Sequence, residues 1–221
     1  MASPAELVQT VSRVTGVALP TLVDIDRKLV KGQLRTKTGR GFSVAQMTPL
    51  DAARLLTALL ASPQANAAVE AVERYAQTQV DPKRSHDKLF AATGLADLAA
   101  LPAQHSFVEG LTALIASVAT GSLAQRIAQS KDSWLPAIEI FAFTRATRGR
   151  IRLAGLPHGL TASLEYMPAP LRAKTGRVPK ARHNHGASAE ECGGDLEQSR
   201  RITGRTLLMV ADLLAEEGGH D

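Results

Sequence analysis

Six lysines and arginines lie within the stretch from Arg27 to Arg40, with no acidic residue among them. Basic side chains at this density bind phosphates, because each contact releases counterions condensed on a nucleic acid. The sequence therefore predicts a DNA-binding surface here, with a solvated basic loop as the alternative interpretation. The six residues are Arg27, Lys28, Lys31, Arg35, Lys37 and Arg40.

A second group of arginines lies in a segment of strongly positive charge. Residues 143–182 hold nine lysines and arginines against one acid, whereas residues 183–221 hold three against eight. Arginines on a β-hairpin contact nucleic acid in some proteins, and in others they keep an edge strand from pairing with another chain. Both interpretations stay open for this secondary basic patch. Its members are Arg145, Arg148, Arg150 and Arg152.

Residue patterns typical of known catalytic chemistry do not occur in the chain. It contains no phosphate-binding G-x-x-x-x-G-K-[ST] loop, no G-x-S-x-G nucleophile turn and no H-E-x-x-H zinc motif. His183, His185 and the single cysteine, Cys192, lack the spacing of metal ligands. We therefore expect no catalytic residue, no metal and no cofactor, and we predict that the protein is not an enzyme.

Two helices with clear boundaries should position the first basic cluster. An S-x-x-E capping box at residues 3–6 starts the first helix, and Gly16 ends it. The second helix follows a short turn and ends at Gly32. At about 100° per residue, Arg27 and Lys31 fall opposite the apolar side of this second helix. That apolar side consists of Leu22, Ile25 and Leu29.

A basic loop and a third helix complete the N-terminal segment. Residues 33–46 show no helical periodicity, and Gly39 and Gly41 allow them to turn back as a hairpin or wing. Thr48, followed by a proline and by Asp51, gives the third helix a capped start. This order is typical of a winged helix-turn-helix, whose second helix enters the major groove while its wing contacts phosphates.

Residues 5–61 resemble the winged helix-turn-helix modules of MerR-type regulators. The resemblance rests on the strings VTGVALPTLVDIDRKLVKGQL, RTKTGRGF and MTPLDAARLLTALL. The same segment is similar to the N-terminal part of uncharacterised alphaproteobacterial and prophage proteins. The chain departs from the MerR-type pattern at residues 23–26, where no aromatic pair occurs. The resemblance implies a DNA-binding module with the second helix in the groove and the basic loop on the backbone.

The whole chain is predicted to be mainly α with a small β region. Central helices are expected over residues 64–134, a β-hairpin between 138 and 153, and a third strand at 160–167. The predicted domains are a winged helix-turn-helix at 1–62, a helical and β domain at 63–171, a disordered linker at 172–200 and a C-terminal amphipathic helix at 201–217. That last helix either docks on the core or pairs with another subunit.

Composition sets the class of protein. Apolar residues make up 44% of the chain and charged residues 21%, which is an ordinary balance for a soluble protein. No apolar run reaches the roughly 18 residues that span a bilayer, and the N-terminus lacks a signal-peptide pattern. We therefore expect a cytoplasmic protein that avoids membranes and binds double-stranded DNA as a homo-oligomer. A dimer is favoured because duplex sites often consist of two half-sites.

The predicted function is non-enzymatic, sequence-specific DNA binding by a transcriptional regulator of phage or mobile-element origin. Two alternatives fit the same residues. A phage DNA-packaging subunit similar to the small terminase subunits also joins an N-terminal helix-turn-helix to a helical oligomerisation region. A protein-docking adaptor would use the basic surfaces to bind acidic partners.

Overall fold

The computed structural model describes residues 2–37, 45–62, 64–85, 95–122, 137–144, 146–156, 160–169 and 198–215. These residues form seven α-helices and a five-stranded antiparallel sheet, which confirms the prediction of a mainly α protein with a small β region. The helices are α1 (Pro4–Thr15), α2 (Leu19–Lys31), α3 (Pro49–Ala61), α4 (Ala68–Ala76), α5 (Ala96–Ala99), α6 (Phe107–Ala119) and α7 (Gly204–Ala215). The strands are β1 (Thr78–Val80), β2 (Ala137–Phe143), β3 (Gly149–Leu156), β4 (Leu160–Pro168) and β5 (Ser199–Thr203).

Capping boxes define the starts of three long helices. In each box the hydroxyl of the cap residue accepts a hydrogen bond from the backbone amide of the residue three positions later. The acidic side chain of that later residue accepts a hydrogen bond from the backbone amide of the cap residue. Ser3 with Glu6 starts α1, Thr48 with Asp51 starts α3, and Ser106 with Glu109 starts α6. Gly16 ends α1 at φ 73°, a left-handed conformation that glycine adopts without steric cost, and its amide donates to the Ser12 carbonyl.

The sheet has the strand order β1-β4-β3-β2-β5, and every neighbouring pair is antiparallel. Successive residues of a strand point to opposite faces, so register decides which side chains meet the helices. One row of paired residues is buried almost completely and forms the inner face. This row consists of Ile202, Ile140, Ile151 and Leu164.

One hydrophobic core joins the helices to the inner face of the sheet. α3 packs on α4 and α6 and also contacts β2 and β5, while α7 packs on α1 and α6. Side chains from every long helix belong to the same buried cluster. The predicted boundary at residue 62 is therefore crossed by continuous packing, and the C-terminal helix docks on the core, which was one of its two predicted positions.

Two strands differ from the sequence-based expectation. Residues 78–80 form β1, although the sequence predicts only helices over residues 64–134. Residues 199–203 form β5 and α7 begins at Gly204, although the sequence predicts a linker to residue 200 and a helix from 201. The reason in the second case is pairing with β2, which places Ile202 opposite Ile140 in the core. Residues 170–197, most of the predicted disordered linker, lie outside the described part of the chain.

A buried aromatic cluster connects α4 and α6 to the sheet. Phe107 packs edge-on against Tyr75 and Tyr166, with ring centroids 5.2 and 5.4 Å apart. His105 is buried beside this cluster, and its Nε2 lies 3.0 Å from the Tyr166 hydroxyl. Burial lowers the pKa of His105, which favours a neutral ring. Its Nδ1 donates to the Pro102 carbonyl, so Nε2 accepts from Tyr166.

Candidate nucleic-acid interface

α1 and α2 are consecutive helices joined by a short connection, and one side of α2 is exposed to solvent. The connection is residues 16–18, and α2 rests on α1, α3 and α4 through its buried apolar side. The opposite stripe, at spacings of four, three and four residues, is exposed to solvent. This stripe consists of Pro20, Asp24, Arg27 and Lys31.

Arg27 and Lys31 are the two cations that the stripe presents. They are one helical turn apart on α2, and neither forms an ion pair with any residue that the structure describes. Lys28 lies at the edge of the stripe and its Nζ is 2.9 Å from the carboxylate of Asp24, with both side chains partly exposed. An exposed pair of this kind adds little stability and exchanges readily with a competing anion.

Arg35 occupies a different position from the one predicted for it on a solvent-facing wing. Its side chain is only 9% exposed, and its guanidinium binds Asp26 with Nε–Oδ1 and Nη2–Oδ2 distances of 2.7 and 3.0 Å. Burial raises the pKa of Asp26, Arg35 opposes that shift, and the nearby Asp51 adds to it. A guanidinium that compensates a half-buried carboxylate is not available for phosphate, so Arg35 holds the loop against α2.

Asp51 closes the base of the basic loop. It accepts hydrogen bonds from the amide and hydroxyl of Thr36 at 2.8 and 3.0 Å. It accepts two more from the amide and hydroxyl of Thr48, at 3.0 and 2.7 Å. Burial opposes ionisation of this carboxyl, but the four donors outweigh burial and lower its pKa. The two ends of the loop are thus tied together at the start of α3.

Two further contacts fix the same base. Arg54 of α3 donates to the carbonyl of Leu34 at 3.0 Å, and the amide of Met47 donates to the carbonyl of Ala2 at 2.9 Å. Lys37 follows this fixed segment and is exposed. Residues 32–37 and 45–48 contain no strand, and the predicted contact Arg40 lies in 38–44, outside the described residues. The described residues on the two sides of the predicted wing are therefore held in place by side-chain and backbone hydrogen bonds.

The secondary basic patch lies on the side of the sheet that faces away from the helices. Arg150 pairs with Glu165, and Arg148 lies 3.6 Å from the same carboxylate. Arg152 pairs with Glu139 at 3.0 Å, and Arg145 lies outside the described residues. These arginines belong to β3 and its approach, whereas the first cluster belongs to α2 and its loop. The two predicted clusters are therefore carried by different elements.

Two arginines of β5, which the sequence did not single out, make prominent contacts in the structure. Arg201 of β5 lies beside this patch and pairs with Glu139 at 2.8 Å. Arg200 reaches the end of α3 and donates from Nη1 to the carbonyls of Leu59 and Ser62, at 2.8 Å each, so it caps that helix. The only local sign of a strand in Ser199–Thr203 was the single large apolar residue, Ile202, between polar neighbours. One apolar residue is too weak a pattern to predict a strand.

Protein-family models, curated proteins and solved structures provide no match to this chain. No group of histidine, cysteine and acidic residues in the described ranges could hold a metal ion. No helix in the same ranges is long and apolar enough to cross a bilayer. The function is therefore inferred from the exposed cations and the elements that hold them.

Proposed function

We propose that this protein binds double-stranded DNA through α2 and the basic loop, without catalysis, as a transcriptional regulator. The observation that carries the proposal is the exposed pair Arg27 and Lys31 on the free stripe of α2. A helix with its side chains is about 10–12 Å across, which matches a major groove about 12 Å wide. Cations on the groove-facing side of such a helix meet bases and phosphates together.

The residues of this surface have distinct proposed roles. Arg27 and Lys31 lie in or beside the groove, and Lys28 reaches a phosphate when it leaves Asp24. Lys37 and Arg40 contact the backbone from the loop. Asp24 would repel a phosphate, so its place on the same stripe fits best against a cytosine amino group, which a carboxylate accepts from.

A dimer is the proposed working form, because two half-sites add specificity and affinity. In the structure the apolar side of α7 is used within the chain, where Leu207 and Val210 are fully buried. A subunit contact would therefore use a different surface. Light scattering in solution separates the hypotheses: a dimer supports regulation, whereas a ring of many subunits supports a DNA-packaging role.

The salt dependence of duplex binding tests the proposal. Each phosphate contact contributes about one unit to the slope of log affinity against log salt concentration. Arg27→Ala and Lys31→Ala should each reduce the salt slope or the affinity for duplex DNA. Lys37→Ala should reduce the salt slope by about one. The matched control is Lys83→Ala, an exposed lysine in the turn after β1, which should change neither.

Two outcomes would contradict duplex binding at α2. One is a parent protein with no measurable affinity for duplex DNA at low salt. The other is a salt slope that survives in the triple variant of residues 27, 31 and 37. A partner protein that remains bound after nuclease treatment, together with either outcome, would favour the docking hypothesis instead.

A further inference from the structure

The face of the sheet that points away from the helices carries rows of charged and aromatic side chains. We call it the outer sheet face and define it by the outward residues of β2, β3, β4 and β5. Cross-strand register sets the rows, because directly paired residues point the same way. The first row is Arg201, Phe141, Arg150 and Glu165. The second row is Thr203, Glu139, Arg152 and Ser163.

Each carboxylate of this face is shared between two guanidinium groups. Glu139 receives Arg152 at 3.0 Å and Arg201 at 2.8 Å, one from each neighbouring strand. Glu165 lies in the same way between Arg150 and Arg148. The outer sheet face carries three arginines and two glutamates among its described residues, and Arg148, just before β3, adds a fourth arginine, which gives a formal excess of two positive charges. Such an excess on one face attracts a polyanion.

Aromatic rings lie between these arginines. The guanidinium groups of Arg150 and Arg201 lie 5.9 and 6.0 Å from the ring centroid of Phe141, and they reach it from the two adjacent strands. Phe141 is partly exposed, so part of its ring is accessible from solvent. A ring flanked by guanidinium planes provides the surfaces on which nucleobases stack.

The arginines of this face remain accessible despite their ion pairs. The side chains of Arg201, Arg152 and Arg150 are 53, 45 and 36% exposed. Arginine has five N–H donors, and each of these ion pairs uses only one or two of them. A phosphate can therefore bind to the outward donors of a guanidinium while the glutamate keeps its own contact.

The shape of the face favours a single strand over a duplex. Five strands at about 4.8 Å spacing give a sheet about 19 Å wide, which cannot enter a major groove about 12 Å wide. A single strand can turn its bases onto a flat aromatic face while its phosphates reach the arginines around it. Ser163 and Thr203, at the ends of the second row, add hydroxyl groups within the same face.

We infer that the outer sheet face binds single-stranded DNA, with one base stacked on Phe141 and phosphates held by Arg150, Arg152 and Arg201. The choice of DNA rather than RNA rests on the proposed function, because a strand opened beside a duplex bound at α2 is DNA. The surface is separate from α2 and its loop, so the two activities can be removed independently.

Fluorescence anisotropy with a labelled oligothymidylate at low salt tests this inference. Phe141→Leu keeps an apolar side chain and should weaken binding about tenfold, because base stacking on the ring is lost. Arg152→Gln and Arg201→Gln should each reduce the salt slope by about 0.7, the value for one phosphate contact of a single strand. The matched control Arg13→Gln changes an exposed arginine on α1, away from the sheet, and should leave affinity and slope unchanged.

Cross-testing separates this inference from the proposed function. The double variant Arg27→Ala/Lys31→Ala should lose duplex affinity and keep full affinity for oligothymidylate. Phe141→Leu should keep duplex affinity and bind oligothymidylate more weakly. A parent that binds oligothymidylate but no duplex refutes only the proposed function. Failure of the parent to bind oligothymidylate, or parent-like binding by all three face variants, overturns the inference. Tighter binding of oligouridylate than of oligothymidylate overturns the assignment to DNA.

Discussion

Asp51 illustrates how single residues prepare the candidate interface. Its side chain is almost fully buried at the start of α3, and it binds both ends of the basic loop through Thr36 and Thr48. Arg35, nearby, neutralises Asp26 and holds the same loop against α2. These residues do not face the solvent that DNA would occupy. Their role is to fix the backbone of the loop just before Lys37, which gives Lys37 a defined position beside α2.

The first prediction concerns the pH dependence of stability at Asp51. Its folded pKa lies below the usual value of 3.8, so ionised Asp51 stabilises the fold at neutral pH. This contribution is complete above the unfolded pKa and is lost as the pH falls through the folded pKa. Asp51→Asn should lower the unfolding free energy at neutral pH by about 1–3 kcal/mol, because an amide accepts fewer hydrogen bonds. Urea unfolding between about pH 3 and 7 should show the difference from the parent shrinking with acid.

Asp26→Asn is the matched control for that experiment. Burial raises the pKa of Asp26, so its titration acts in the opposite sense: stability falls as the pH rises from the unfolded pKa to the folded one. The Asp26→Asn variant should therefore keep the acid-induced loss of stability that Asp51→Asn reduces. A parent protein whose unfolding free energy is constant down to about pH 3 would contradict the role given to Asp51.

At the scale of elements, Tyr75 joins α4 to the hairpin of β2 and β3. Its hydroxyl accepts from the amide of Phe143 at 3.0 Å and donates to the carbonyl of Arg148, 2.6 Å away. These two residues close the turn of the hairpin that carries Arg150 and Arg152, and the Phe143 amide also donates directly to the Arg148 carbonyl at 3.1 Å. Burial raises the pKa of Tyr75 to about 12, so the hydroxyl stays protonated and remains a donor at neutral pH.

The second prediction is that Tyr75→Phe loosens this hairpin. The substitution removes the hydroxyl that the two groups share, while the Phe143 amide still donates to the Arg148 carbonyl at 3.1 Å. The expected cost is therefore that of ordinary hydrogen bonds, about 0.5–1.5 kcal/mol in unfolding free energy. Amide exchange should accelerate at residues 143–149 more than in α1 or α2, as hydrogen exchange with mass spectrometry would show. Thr57→Val in α3 is a useful comparison, since its hydroxyl bonds only within its own helix. Uniform acceleration across the chain would refute a local role for Tyr75.

The elements that were predicted correctly are those whose sequence signals lie within a few neighbouring residues. The capping boxes at Ser3 and Thr48 and the alternation in β2 and β3 lie within a few residues, so the first helices, the hairpin and the third strand were confirmed. β5 depends on the free edge of β2, far away in sequence, and Ile202 alone gives too weak a pattern. The burial of Arg35 depends in the same way on the tertiary position of Asp26. The exposed side of α2 was predictable because it is opposite an apolar stripe on the same helix.

At the scale of the whole molecule, α3 determines how the N-terminal segment relates to the rest. A surface helix of a small module buries one stripe, whereas a helix buried all round belongs to the interior of a larger fold. In α3 the adjacent residues Leu55 and Leu56 are both fully buried, as are the alanines at 52, 53, 58 and 61. Its neighbours include α4, α6, β2 and β5. α1 similarly rests on α7, at the other end of the chain.

The last prediction follows from that packing: residues 1–62 do not fold alone. Without α6, α7 and the sheet, the buried leucines and alanines of α3 would face water, and a segment of this size has little other core to compensate. The fragment should show little helical circular dichroism, while the full chain should unfold in one cooperative transition. Leu207→Ala in α7 should lower the unfolding free energy of the full chain by about 2–5 kcal/mol and accelerate amide exchange in α1 as well as in α7. A stably helical fragment 1–62, or exchange in α1 that Leu207→Ala leaves unchanged, would show instead that the proposed DNA-binding segment is an independent module. In that case its position relative to the outer sheet face would not be fixed by the core.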